Sequence, residues 1–99
     1  MESNKSILKK YLLEACQASY VPNITKARNK ILELPKEWLV NNINSVATGL
    51  LNLSDEWEYR RLLELYKMLD EELVLQLVSA GLKSSNPEVQ EAAKDFSQD

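Results

Sequence analysis

The segment Asp55–Glu72, DEWEYRRLLELYKMLDEE, holds seven acids, three bases, one tryptophan and two tyrosines. Its reading decides the fold. On a helical wheel of about 100° per residue, Tyr59, Leu62, Leu63, Tyr66 and Leu69 fall into one stripe, the pattern of a helix face turned to a core. Trp57, Arg61, Glu64 and Met68 fall on the other side, spaced by four, three and four residues. That spacing makes a second continuous stripe. Ser54 or Asp55 is positioned to cap the helix, and Asp55, Glu56 and Glu58 suit the positive end of its dipole. Arg61 is within reach of Glu58 or Glu64 along the same helix. The second stripe has two readings. Trp57 either packs against a neighbouring helix or faces a partner, and Trp, Tyr and Arg are the residues that most often anchor interfaces.

Outward from this helix, punctuation divides the rest of the chain. The first helix is expected at about 6–19, with Ile7, Leu8, Tyr11, Leu12, Ala15 and Ala18 inward. Tyr20-Val21-Pro22-Asn23 reads as a turn in which Asn23 caps a second helix, about 24–34, with Ile24, Ala27, Ile31 and Leu34 inward. Pro35 closes it and suits the start of the third helix, about 36–51. Leu39, Ile43, Val46, Ala47 and Leu50 form that helix's apolar stripe, and Trp38 is expected in the core or at its rim. A break near Leu69-Asp70 opens a fifth helix over about 71–82. Ser84-Ser85-Asn86-Pro87 is the clearest boundary, an Asn cap followed by Pro at the first helical position. A sixth helix follows to about Phe96, with Val89, Ala92, Ala93 and Phe96 inward. No strand pattern competes, and two glycines and three prolines in 99 residues are too few for a turn-rich β fold.

The expected fold is therefore all-α. About six short antiparallel helices form either three HEAT-like hairpins, a small α-solenoid, or a compact helical bundle, in one domain spanning 1–99. The solenoid reading rests on an internal echo. TGLLNLSDEW from Thr48 resembles AGLKSSNPEV from Ala80 at an offset of 32 residues, and KILEL at Lys30–Leu34 resembles RLLEL at Arg61–Leu65 at an offset of 31. A period just above 30 is what one hairpin per repeat requires.

Charge divides the chain. Residues 1–52 carry seven Lys/Arg and four Asp/Glu, a net +3, whereas 53–99 carry five and eleven, a net −6. The acidic half repels phosphate backbones and attracts basic proteins. Only the other half offers bases for a nucleic-acid groove, at Lys5, Lys9, Lys10, Lys26, Arg28, Lys30 and Lys36.

The chain contains no His and a single Cys16. This removes Ser-His-Asp and Cys-His catalysis, a cysteine zinc site and an internal disulfide. Gly49 and Gly81 stand alone and make no phosphate loop, and Asp70-Glu71-Glu72 lacks the spacing of a calcium loop. Neither enzyme activity nor a cofactor or metal is expected. With no signal peptide and no apolar run near the roughly 18 residues of a membrane span, a cytoplasmic setting is expected, without membrane partners.

The stretch from Leu53 to Ser97 resembles small all-helical immunity proteins of bacterial polymorphic-toxin and contact-dependent growth inhibition systems. Trp57-Glu58-Tyr59-Arg60-Arg61-Leu62-Leu63 and Ser85-Asn86-Pro87-Glu88 carry the resemblance, which covers under half the chain. It implies an antidote, monomeric before binding, that holds one cognate toxin domain, often a nuclease, and blocks its active site or substrate surface. Nuclease toxins are basic where they hold phosphates, so an acidic surface suits them. The candidate partner-binding residues are Asp55, Glu56, Trp57, Glu58, Arg61, Glu64, Asp70, Glu71 and Glu72. The competing reading is a HEAT-like protein–protein adaptor unrelated to toxins.

Overall fold

The computed structural model describes residues 3–97, and these form six α-helices: α1 Asn4–Gln17, α2 Val21–Leu32, α3 Lys36–Leu50, α4 Glu56–Leu69, α5 Glu71–Leu82 and α6 Pro87–Ser97. No strand occurs among the described residues. None of the helices is long and apolar enough to cross a membrane. The chain divides into two compact units, 1–51 and 52–99. The division falls where the charge changes sign.

In the first unit, α1 packs against both α2 and α3. Its core is built from Leu8, Leu12, Ala15 and Cys16 of α1, Ile24, Ala27 and Ile31 of α2, and Leu39, Ile43, Val46 and Ala47 of α3. These are the expected stripes, except that Ile7, Tyr11, Ala18 and Leu50 are only half-buried, as is Trp38. Cys16 is enclosed among them, at 2% exposure. The expected turn at Tyr20–Asn23 is corrected: α2 already begins at Val21, with Tyr20 as its N-cap and Pro22 in the first turn. Asn23 is no cap, since its own amide already donates to the Tyr20 carbonyl at 3.0 Å. Proline is tolerated there because the first-turn amides have no intrahelical acceptor to lose.

In the second unit, α4, α5 and α6 pack against one another in all three combinations. Tyr59, Leu62, Leu63, Leu65, Tyr66 and Leu69 of α4 are buried, together with Leu73, Leu77, Val78 and Gly81 of α5 and Val89, Ala92 and Ala93 of α6. Each large side chain sealed here contributes about 1.5–3 kcal/mol. Asp55 caps α4 by accepting from the Glu58 amide at 3.0 Å. Asp70 ends α4 and starts α5: its amide donates to the Tyr66 carbonyl at 2.9 Å, while its carboxylate accepts from the Leu73 amide at 3.3 Å. One extended residue thus serves both helices, which is why no loop separates them. Asn86 caps α6 by accepting from the Glu88 amide at 2.9 Å.

The echo is not uniform. At the offset of 32, Ser54 and Asn86 both precede a helix start, and the Asn86 side-chain amide donates to the Ser54 carbonyl at 2.8 Å. At the offset of 31, RLLEL lies inside α4, whereas Leu34 of KILEL lies beyond the end of α2.

Candidate functional site

All nine candidate residues belong to the second unit. Trp57 stands in the first turn of α4 with 63% of its surface exposed, and Met68, three turns on, is 52% exposed. Trp57 is therefore not a core residue. Between them the helix spacing sets Arg61 and Glu64. Arg61 Nη1 lies 3.2 Å from Glu64 Oε1, so Glu64 is the partner that Arg61 takes. The guanidinium also sits over the Trp57 ring, 5.7 Å from its centroid. One turn of helix separates each pair, which is the spacing at which side chains of a helix meet.

The carboxylates differ in what already holds them. Asp55 and Asp70 are helix caps and half-buried. Glu58 accepts from the Asn52 amide at 3.2 Å, closing the approach to α4. Glu56 meets Arg60 at 3.4 Å and Glu64 meets Arg61. Glu71 and Glu72, in the first turn of α5, are exposed and favoured by its dipole. The nine residues therefore form two groups, the outer stripe of α4 with its cap and the α4–α5 junction.

A third acidic group escapes the sequence reading. Arg60 joins α4 to α6 by reaching Asp95 at 3.2 Å while holding Glu56. Burial works against its charge, but hydrogen bonds to Asp95 and Glu56 outweigh it and hold the guanidinium above its ordinary range. Glu88, in the first turn of α6, shares a hydrogen bond with Glu56. That bond first, and then the Glu56 charge, push the Glu88 carboxyl above its usual value. Glu56 and Glu88 are separated by the same 32 residues as Ser54 and Asn86. The offset in the sequence held the signal, because it sets both acids two positions after equivalent residues.

Among the described residues, no three His, Cys, Asp or Glu side chains converge as a metal site requires. A shallow depression of about 320 Å³ on this unit is lined by Lys67, Glu71, Val74, Leu75, Val78, Phe96 and Ser97. Its lining is mostly apolar, with Lys67 and Glu71 as its charged members. No protein-family model, curated protein or solved structure matches the chain.

Proposed function

We propose that this protein is an immunity protein that binds and neutralises a cognate bacterial toxin domain, a basic nuclease, through the acidic surface of residues 52–99. The observation that carries the reading is the exposure of Trp57, at 63%, at the edge of a unit whose sequence bears a net −6. Exposing an indole to water forgoes a large apolar burial, and such a residue ringed by polar groups is the usual form of an interface anchor. The surrounding charge steers a basic partner toward it and speeds encounter. Burying about 800 Å² on each side would give a stable complex. In that complex the carboxylates occupy the positions where the nuclease otherwise holds phosphates.

Co-expression tests the reading in cells. If the gene upstream of this one encodes a large secreted protein with a toxic C-terminal domain, that domain alone should arrest growth. Co-expression with this protein should restore growth. Continued arrest with both proteins present at comparable levels would defeat the proposal.

A further inference from the structure

Three aromatic rings of the described residues carry a cation: Lys10 over Tyr11, Arg61 over Trp57 and Lys67 over Phe96. Tyr11 and Phe96 are half-buried, whereas Trp57 is 63% exposed. The indole is also the ring that attracts cations most strongly. Arg61 approaches it at 5.7 Å while Glu64, 3.2 Å from the guanidinium, holds that cation in place. An indole has two faces, and one cation covers one of them. Asp55, Glu56 and Glu58 lie in the turn around Trp57. An apolar pocket closing over this ring would strip water from those carboxylates without neutralising them, which is costly. A cation closing over it would meet the ring quadrupole and the carboxylates together.

We infer that Trp57 anchors its partner by receiving an arginine or lysine side chain against its exposed ring face, rather than by filling an apolar pocket. This rests on the proposed acidic interface and names the chemistry at its centre. The geometry already present in the free protein is the template. The intramolecular Arg61–Trp57–Glu64 group shows the arrangement that a second cation repeats from outside, with Asp55 or Glu58 in the place of Glu64.

Octa-arginine is a suitable probe, with an uncharged apolar octapeptide as control. Binding is followed in low salt by calorimetry and by the indole N–H resonances, which separate Trp57 from Trp38. The wild-type protein should bind octa-arginine with movement of the Trp57 resonance and should ignore the apolar peptide. Trp57→Phe keeps a weaker ring and should lose less affinity than Trp57→Leu, which keeps apolar area without a π face. The leucine variant should bind about three- to thirtyfold more weakly. Because Trp57 is exposed, its variants should melt as the wild type does. Octa-arginine binding by Trp57→Leu within twofold of wild type, or equal binding of the apolar peptide, would overturn the inference. Glu64→Lys/Glu71→Lys/Glu72→Lys separates the two levels. If it abolishes binding that Trp57→Leu retains, the aromatic role fails and the acidic interface stands. If octa-arginine binds it as well as wild type, or fails to bind wild type at all, both fail.

Discussion

Tyr59 of α4 donates its hydroxyl to the carbonyl of Leu77 in α5, 2.8 Å away, from a position that is 1% exposed. The bond passes over Gly81, one turn along α5 from Leu77. A Cβ at Gly81 would collide with the Tyr59 hydroxyl and press on the Ala93 methyl at 3.0 Å. The glycine is thus fixed by a close approach of helices, not by backbone conformation, since no glycine has positive φ.

The two glycines should therefore respond in opposite directions. Gly81→Ala forces Tyr59 out of place and should destabilise by about 1–3 kcal/mol. Gly49 in α3 has nothing within 4 Å of the added methyl, so Gly49→Ala should stabilise by about 0.5–1 kcal/mol through helix propensity. Urea unfolding of both variants checks this. A Tyr59→Phe background should reduce the cost of Gly81→Ala only in part, because the hydroxyl is gone but the ring carbon that bore it still crowds the added methyl.

Burial pushes the Tyr59 phenol from 10.0 up to about 12. The folded state therefore favours the neutral ring, and that contribution is complete below the unfolded value of 10.0 and lost as pH rises toward 12. Stability measured from about pH 9 to about pH 11.5 should fall more steeply in wild type than in Tyr59→Phe. At neutral pH the same variant should cost about 0.5–1.5 kcal/mol for the lost hydrogen bond. Parallel pH curves would show that Tyr59 ionises as freely in the folded state as in the unfolded.

The Glu56–Glu88 contact gives a second pH signature, at the acid end. Glu88 is raised above 4.5, chiefly by its hydrogen bond to Glu56, with Arg60, Glu91 and Asp95 the other charges of the cluster. A raised carboxyl stabilises the fold in full below the unfolded value and loses that contribution as pH rises through the folded one. Glu88→Gln cannot ionise. Its melting temperature relative to wild type should therefore climb between about pH 4 and about pH 7. A constant difference over that range would show that Glu56 does not raise the Glu88 carboxyl.

Asp70 belongs to the candidate interface yet also caps α5. Asp70→Ala should cost about 0.5–2 kcal/mol, and Asp70→Asn, which retains a capping oxygen, much less. Thermal melts of the two variants should differ accordingly. Equal losses would mean that the Asp70 charge, not the cap, supports the helix.

Much of this was legible in the chain, and the failures have physical causes. The inward stripe of α4 follows from periodicity because the helix is long enough for four turns to repeat the pattern. Asp55 and Asn86 announce helix starts because their short acceptors reach first-turn amides, whereas the cap at Asp70 emerges only in the structure. Pro22 misled because proline both breaks helices and opens them, and only the backbone shows which. Trp57 could not be assigned from the wheel, since a helix can touch neighbours on two sides. Glu88 and Asp95 were missed because Arg60 and Glu56 reach them across helices, where local spacing says nothing. The 32-residue echo read as a repeat period did contain that information, as paired helix starts joined through Ser54 and Asn86.

The most direct measurement is the affinity of the purified protein for the proposed partner, a basic toxin domain taken from a neighbouring gene if one encodes it, compared with Glu64→Lys/Glu71→Lys/Glu72→Lys. Glu71 and Glu72 are exposed and Glu64 lies in the outer stripe, so the variant should remain helical by circular dichroism. Tight binding by the wild type, slower association and at least a hundredfold loss in the variant (about 2.8 kcal/mol) is the expected result. A folded variant that binds as tightly as wild type would contradict an acidic toxin-binding face.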